Sequence, residues 1–391
     1  MRIGVLGAGA MGAGIAQVAA VHGHPVILAD ASAPAVARAR EGVARAMARE
    51  VEKGRLEGEA AEAAVARIIP GALESADDLR VFEGSGLVIE AIIEDLAAKR
   101  DAFRRLERVT PPGAILATNT SSLSITAIGG ELAQPGRLVG MHFFNPAPVM
   151  PLVEVVPGLA TDPEVTAAVR DLAASWKKVP VIVRDTPGFI VNRVARPFYG
   201  EALRIFEEGM ADQATIDWAM RTLGGFRMGP FELMDLIGND VNFTVTRSIF
   251  EAFSYDPRYR PSLVQQRQVE AGRLGRKTGR GYYSYAEGAV PPAPVEDHAL
   301  GERIVNRIVA MLINEAADAL FLGVASREDL DLAMTKGVNY PRGLLAWADE
   351  IGPDVVLARL EDLQHEYGED RYRPSPLLRR LVRAGKKFAD G

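Results

Sequence analysis

Apolar residues in the first half of the chain fall into short runs separated by longer polar stretches. Seven of these runs predict buried strands, at residues 2–6, 25–29, 86–92, 114–120, 137–144, 151–156 and 180–183. The stretches between them predict helices, at residues 11–21, 34–66 and 94–108. Short strands that alternate with helices predict a mostly parallel α/β sheet covered on both faces, of the Rossmann type.

The pattern changes after about Asp185. From there to Glu270 the chain shows long amphipathic helical stretches and no convincing strand. A Pro/Gly/Ala-rich stretch then precedes renewed helical periodicity at Arg303. The predicted domains are an α/β domain at 1–184, a helical domain at 185–285, a linker at 286–302 and a second helical domain at 303–391.

The two helical stretches share a repeat. The tetrapeptide IVNR occurs at 190–193 and again at 304–307, an offset of 114 residues. Further matches keep this register to within one residue: Glu201 with Glu315, IDWAM (216–220) with LDLAM (330–334), Asp235 with Asp349, and RYRPS (258–262) with RYRPS (371–375). So many matches predict a tandem duplication of one helical domain.

Composition narrows the class of protein. The chain has 391 residues, 48% hydrophobic and 25% charged, with a net charge of −6, which suits a globular protein that binds neither nucleic acid nor an anionic membrane. Cysteine is absent, which excludes disulfides and thiolate chemistry, and the five histidines form no metal-spaced cluster. No apolar run approaches the ~20 residues that span a bilayer, and no signal peptide precedes the first strand, so a cytoplasmic location is expected.

The first strand leads into GAGAMG (7–12), which fits the dinucleotide-binding pattern G-x-G-x-x-G. Gly7 permits a tight turn, Gly9 lets a pyrophosphate approach the backbone, and Gly12 lets the helix pack closely on the strand. Asp30 ends the next strand, where a carboxylate accepts ribose hydroxyls and repels a 2′-phosphate, which favours NAD over NADP. The predicted contacts of the loop with the cofactor are Gly7, Gly9, Ala10, Met11 and Gly12.

The segment MHFFNPAPVMPLVEVV (141–156) places one histidine at a strand end and a glutamate on the following strand. A histidine base whose tautomer is fixed by a carboxylate is what oxidation of an alcohol requires. His142 paired with Glu154 would supply that base. A core histidine satisfied by a backbone carbonyl fits the same spacing, and spacing leaves both interpretations open.

Seven stretches together resemble the L-3-hydroxyacyl-CoA dehydrogenase family, whose members are similar to the 3-hydroxybutyryl-CoA dehydrogenases. They span residues 1 to about 285 and include, besides those above, EAIIEDLAAKR (90–100), ATNTSSLSIT (117–126), DTPGFIVNR (185–193), MGPFELMDLIG (228–238) and GRKTGRGYY (275–283). The resemblance implies reversible, NAD-dependent oxidation of an L-3-hydroxyacyl-CoA to the 3-oxoacyl-CoA.

The resemblance also implies a role for each matching residue. His142 is the base, Glu154 is its partner, Ser121 hydrogen-bonds the 3-oxygen of the substrate, and Asn192 positions substrate and base. The ribose and nicotinamide side of NAD is contacted by Glu94, Lys99, Asn145 and Lys277. Taken singly, each of these has a structural alternative, such as a helix N-cap for Ser121 or a solvated helix charge for Lys99.

Binding of coenzyme A needs cations for its phosphates. Arg45, Arg49 and Lys53 share one face of the predicted 34–66 helix, a region that lies near coenzyme A in the family that the chain resembles. Lys53 is therefore the predicted substrate contact. A solvated charged stripe is the alternative.

The chain has only one dinucleotide loop and one His142–Glu154 pair. The second helical copy therefore has no chemistry of its own to serve. In the predicted register GRKTGRGYY also has no counterpart in it. Single-copy members of the family resemble dimers that pair through their helical domains. Residues 303–391 are therefore expected to cover residues 185–285 as a built-in partner. Further self-association of the whole chain is left open. Asn306 is then expected to be structural.

Two other functions fit parts of the sequence. A dehydrogenase of free hydroxy acids or sugar acids on the same scaffold would need no coenzyme A site. A catalytically silent NAD-binding protein would need none of the four catalytic residues, all of which are present.

Overall fold

The computed structural model describes residues 1–71 and 78–390, which form two units, Met1–Phe189 and Ile190–Gly391. The first unit contains one eight-stranded sheet of order β3-β2-β1-β4-β5-β6-β7-β8. Its strands are β1 (Ile3–Leu6), β2 (Val26–Ala29), β3 (Ile68–Pro70), β4 (Leu87–Glu90), β5 (Ile115–Thr118), β6 (Leu138–Phe143), β7 (Leu152–Pro157) and β8 (Val179–Ile182). All neighbours are parallel except β6 and β7, which are antiparallel.

The sheet is a parallel Rossmann-like sheet, as its strand pattern predicted. Every residue of β1, β2 and β4 is buried. Because successive side chains of a strand point to opposite faces, both faces of the sheet are covered there. Among the strands of the described residues, only the short edge strand β3 was not predicted, and two of its three residues are exposed.

The helices of the first unit are α1 (Ala10–Val21), α2 (Ala33–Glu52), α3 (Gly58–Arg67), α4 (Leu96–Val109), α5 (Ile125–Gly129) and α6 (Pro163–Ser175). The single helix predicted over 34–66 is wrong, because α2 and α3 are separate. Lys53 ends α2, and Gly54 follows in the left-handed region at φ 66°, which stops the helix.

The described residues of the second unit form helices and no strand, apart from isolated bridges between Gly275 and Arg280 and between Arg280 and Ser284. Its helices are α7 (Val191–Val194), α8 (Arg196–Glu207), α9 (Gln213–Trp218), α10 (Pro230–Ile237), α11 (Asn239–Ala252), α12 (Leu263–Glu270), α13 (His298–Phe321), α14 (Arg327–Gly337), α15 (Leu344–Ile351), α16 (Pro353–Tyr367) and α17 (Pro376–Ala384). Helix α13 begins at His298 instead of the predicted Arg303, because the Asp297 carboxylate caps it by accepting from the Ala299 and Leu300 amides.

Helix α13 forms the centre of this unit. Its residues 307–319 are all buried, and it contacts α8, α15, α16 and α17. A helix that is buried on all sides needs partners for its polar side chains. Those partners are reciprocal: Arg193 donates to Glu315 at 2.6 Å, and Arg307 donates to Glu201 at 3.0 Å.

The C-terminal tail makes one contact that also occurs earlier in this unit. The Asp235 carboxylate accepts from the amides of Tyr282 and Tyr283. The Asp349 carboxylate accepts in the same way from the amides of Phe388 and Ala389. The absence of a counterpart to GRKTGRGYY (275–283) stays a prediction for the rest of that segment.

Within residues 1–71 and 78–390, no helix is both long and apolar enough to cross a membrane. The same residues hold no cluster of three or more His, Asp or Glu side chains that could bind a metal ion.

Candidate active site

The loop from β1 to α1 has the shape of a dinucleotide-binding turn. Gly7 has φ 107°, and a Cβ on it would clash with the carbonyl of Ala91. A Cβ on Gly12 would clash with the carbonyl of Gly7, whereas a Cβ on Gly9 would meet no atom within 4 Å. No side chain caps α1, so its first-turn amides and the open space at Gly9 fit a phosphate group.

Asp30 organises this loop from the end of β2. Its carboxylate accepts from the amide of Ala8 at 2.8 Å and from the amide of Ser32 at 2.9 Å. Each carboxylate oxygen can accept further bonds, so the group can still bind ribose hydroxyls. The adenosine side of NAD therefore fits the residues present.

A cavity of about 1410 Å³ extends from this loop along α2, and it is lined by Gly9, Asp30 and Asn145 among others. The basic side chains that line it are Arg38, Arg49, Lys53, Arg55, Lys177 and Lys178. Arg45 is not among them and pairs with Glu41 on the surface, so the predicted stripe is only partly on the cavity. Lys53 lies 3.1 Å from Glu50.

Sequence reasoning missed most of these cations, because they come from separate segments. Arg38 precedes Arg49 by eleven residues on α2, three helical turns, which is the one signal that was available. Lys178 has a structural role, since its ammonium donates to the carbonyls of Ala147 and Met150. Burial lowers the pKa of Lys178.

The next element of the site is a buried pair on β6 and β7. These strands are antiparallel, and His142 lies directly opposite Glu154. The imidazole Nδ1 is 2.7 Å from Glu154 Oε2, and the residues are 6% and 1% exposed. The backbone-carbonyl alternative for His142 is therefore wrong. A carboxylate at Nδ1 assigns the proton to that nitrogen and leaves Nε2 as the basic one.

Two aromatic rings surround the imidazole. The ring of Phe144 lies 4.6 Å from that of His142, and the ring of Phe189 lies 5.9 Å away. Packing of this kind restricts the rotation of His142. The arrangement provides an oriented and buried nitrogen base.

Ser121 belongs to the turn after β5, the strand that lies next to β6. One oxygen of Glu94 accepts from the hydroxyl of Thr120 at 2.6 Å, from the amide of Ser121 at 2.9 Å and from the amide of Ser122 at 3.1 Å. The N-cap of α5 is Ser124, not Ser121, so the capping alternative for Ser121 is wrong. The Glu94 carboxylate fixes the turn that carries Ser121.

Lys99 lies beneath Glu94 and is only 1% exposed. Its ammonium is 2.6 Å from Glu90 and 3.3 Å from Glu94, so the solvated-charge alternative is wrong. Burial alone would raise the pKa of Glu94, but the Lys99 charge and the hydrogen bonds from the turn outweigh it and lower that pKa. Sequence reasoning missed Glu90, which also accepts from Thr118 at 2.7 Å.

Asn145 follows β6, joins Pro146 through a cis peptide bond and lines the cavity. Asn192 and Lys277 belong to the second unit. Asn192 is half-buried on α7, where its carbonyl accepts from Arg196 at 2.7 Å, and the Lys277 ammonium is 2.6 Å from Asp240.

Comparisons with known proteins indicate the family to which the chain belongs. Residues 2–186 match the family model of the 3-hydroxyacyl-CoA dehydrogenase NAD binding domain. The model of the C-terminal domain of the same family matches residues 188–285 and again residues 304–389.

Among curated proteins, the 3-hydroxyadipyl-CoA dehydrogenase of Escherichia coli (strain K12) is 43% identical over 96% of each chain. A probable 3-hydroxybutyryl-CoA dehydrogenase of Bacillus subtilis is 42% identical over 73% of this chain and 98% of its own. The crystal structure of 3-hydroxybutyryl-CoA dehydrogenase from E. coli K12 superposes with a TM-score of 0.92 at 42% identity, covering 98% of this chain and 99% of that one. The chain therefore belongs to the 3-hydroxyacyl-CoA dehydrogenase family and is an NAD-dependent enzyme that interconverts 3-hydroxyacyl-CoA and 3-oxoacyl-CoA.

Proposed function

We propose that His142 and Glu154 carry out the proton transfer of this reaction. The observation that supports the proposal is the buried Nδ1···Oε2 pair of 2.7 Å. Nε2 of His142 removes the proton of the 3-hydroxyl group, and the Glu154 carboxylate stabilises the imidazolium that forms. NAD, when bound, accepts the hydride from C3. The hydroxyl of Ser121 donates to the 3-oxygen, and Asn192 positions the substrate.

Replacement of His142 by Ala tests this assignment. NADH formation from a 3-hydroxyacyl-CoA should fall by about 100-fold or more, because general base catalysis contributes about 10² to 10⁴. A rate of NADH formation equal to that of the unchanged protein would remove the mechanism.

For the cofactor we propose that Gly7, Gly9, Ala10, Met11, Gly12 and Asp30 hold the adenosine half of NAD, with Glu94, Asn145 and Lys277 on the nicotinamide side. The burial of Lys99 supports an indirect role, in which its ammonium holds Glu94 in place. Lys53 is proposed to contact a coenzyme A phosphate, together with the other cations along the α2 cavity.

For the substrate we propose a short-chain 3-hydroxyacyl-CoA with a carboxylated tail. The support is the 3-hydroxyadipyl-CoA dehydrogenase of E. coli, which matches both helical copies as well as the NAD-binding domain. Steady-state rates with 3-hydroxybutyryl-CoA, a longer unbranched 3-hydroxyacyl-CoA and 3-hydroxyadipyl-CoA would test it. The highest kcat/KM should belong to the carboxylated substrate, and a preference for an apolar tail would reject it. Faster turnover of a free hydroxy acid than of its coenzyme A thioester would favour the alternative function, a dehydrogenase of free hydroxy acids or sugar acids.

We further propose that 185–285 and 303–391, separated by a linker at 286–302, are tandem copies, and that the second covers the first as an internal partner. The double match to one family model and the reciprocal Arg–Glu pairs support this. A pair in which residue i contacts j′ and j contacts i′ is the mark of a two-fold interface.

Truncation after residue 288 tests the internal partner. It would expose the apolar surface that α13 covers, so the shortened chain should dimerise or aggregate. Size-exclusion chromatography with light scattering is the measurement, and a fully active monomer would contradict the proposal. A cytoplasmic location stays a prediction, and it agrees with the use of NAD and coenzyme A thioesters.

A further inference from the structure

We infer that Glu315, a residue of the second helical copy, is a positioning residue for Asn192. The inference rests on the proposed role of Asn192 toward the substrate. It gives the second copy a part in catalysis although that copy has no reacting group of its own.

Asn192 lies on α7, a helix of only four residues. Helices this short are unstable alone, because one turn cannot offset the entropy of its nucleation. Helix α7 runs into α8 after Ala195, and contacts beyond its four residues help to hold it in place. Two arginines provide such contacts: Arg193, the next residue, and Arg196, whose Nε donates to the Asn192 carbonyl.

Arg193 is tied to the second copy. Its Nε donates to Glu315 at 2.6 Å, and its guanidinium lies over the ring of Phe253, 5.0 Å from the ring centre. Arg193 is 2% exposed and Glu315 is 0% exposed. A charge-assisted bond without competing water is strong and directional, so it fixes the residue next to Asn192.

Glu315 is itself held rigidly. It also accepts from the hydroxyl of Tyr259 at 2.6 Å and from Arg258 at 3.2 Å. Burial by itself would raise the pKa of Glu315, but Arg193 and Arg258 lower it. The carboxylate is thus a fixed, charged anchor in the C-terminal half of α13, from which it bonds Arg193 on α7.

The chain contains a matched control for this anchor. At an offset of 114 residues, Arg307 donates to Glu201 at 3.0 Å, and Glu201 also accepts from the hydroxyl of Tyr372. Glu201 is 1% exposed, so the two Arg–Glu pairs are alike in residue type and burial, although Arg307 also donates to Glu208 at 2.7 Å. They differ in their neighbour: Arg307 follows Asn306, for which the proposed function has no catalytic role.

The test compares Glu315→Gln with Glu201→Gln in the full chain. Both variants should lose thermal stability, because each removes a carboxylate that a buried arginine bonds. The loss should be smaller for Glu201→Gln, because Arg307 keeps its bonds to Glu208. Well below both unfolding temperatures, kcat of Glu315→Gln should be about 10-fold to 100-fold below that of Glu201→Gln, because small misplacements of a positioning group cost rates of that order. KM for NAD should stay the same in both variants.

Asn192→Ala separates the inference from the proposal on which it rests. Asn192→Ala should lower kcat, and adding Glu315→Gln to it should lower kcat little further, because both act through one group. If Asn192→Ala lowers kcat but Glu315→Gln matches Glu201→Gln, the inference alone is overturned. If Asn192→Ala leaves kcat unchanged, the proposed role of Asn192 and the inference both fail.

A second pair of variants covers the case in which a Gln variant does not fold. Arg193→Lys and Arg307→Lys keep the charge but lose the planar guanidinium. Arg193→Lys should lower kcat while Arg307→Lys does not, and equal kcat values would overturn the inference.

Discussion

The contribution of Glu154 can be isolated with Glu154→Gln. The amide has nearly the same size as the carboxylate and can still accept a bond from Nδ1 of His142, but it carries no charge. In the reaction His142 becomes a cation while it holds the substrate proton, and only the carboxylate stabilises that cation.

The magnitude follows from the geometry. With Nδ1 and Oε2 2.7 Å apart, the centres of the two charges are about 4 Å apart, and at an effective dielectric constant of about 20 their attraction is about 4 kcal/mol. Since about 1.4 kcal/mol corresponds to a tenfold change in rate, kcat should fall by about 100-fold to 1000-fold. The KM values for NAD and acyl-CoA should change little, because the pair acts on the charge that develops in the transition state.

The assay is steady-state formation of NADH from a saturating 3-hydroxyacyl-CoA, with thermal unfolding recorded for each variant. Glu164→Gln, at an exposed position on α6, is the control and should keep the original kcat. Deuterium at C3 of the substrate should slow Glu154→Gln at least as much as the unchanged enzyme, because the chemical step then limits the rate. A kcat within about fivefold of the original, which is about 1 kcal/mol, would refute the electrostatic reasoning.

Three further predictions concern other parts of the molecule. Gly9→Ala should keep its unfolding temperature but bind NAD more weakly in a calorimetric titration, because a Cβ at Gly9 has open space where a phosphate fits. Gly12→Ala should instead be destabilised by about 1–3 kcal/mol in urea unfolding, because a Cβ at Gly12 clashes with the backbone. Burial raises the pKa of Asp217 to about 7, although the hydrogen bonds from Tyr283 and the Phe231 amide lower it in part. The contribution of Asp217 to stability is therefore present below about pH 4 and is lost as pH rises through 7. The unfolding temperature of Asp217→Asn, measured relative to that of the original protein, should therefore rise from pH 5 to pH 8. A difference in unfolding temperature that does not depend on pH would contradict the assignment. Asp30→Ala should lower kcat/KM for NAD and narrow the preference over NADP, measured with both cofactors, since it removes the carboxylate that repels a 2′-phosphate.

The α/β part of the fold followed from local pattern. Runs such as 86–92 and 137–144 are apolar because both faces of their strands are buried. Such a run can be recognised from consecutive residues of the sequence alone. The break between α2 and α3 escaped prediction, because Ala, Arg and Glu favour helix on both sides of Gly54 and one glycine in such a stretch is a weak signal.

The candidate site divides in the same way. Asp30 could be named because it ends the strand that follows the dinucleotide-binding loop. His142 and Glu154 could be named because their segment is one of those that resemble a known family. Glu90 could not, since nothing in its sequence neighbourhood distinguishes a buried carboxylate that meets Lys99 and Thr118 from any strand-end glutamate. Such networks join residues that are far apart in sequence, so they become visible only once the sheet has aligned its strands.

The sequence by itself determined the cofactor loop and the internal sequence matches, because both depend on residue types at fixed spacings. Its resemblance to a known family indicated the class of enzyme. Only the tertiary structure decided that Lys99 is buried, that Ser124 rather than Ser121 caps α5, and that Arg193 bonds Glu315 while Arg307 bonds Glu201. The physical reason is that burial and hydrogen-bond partners depend on which segments meet in space, and a buried charge is stable only where its partner arrives from another segment.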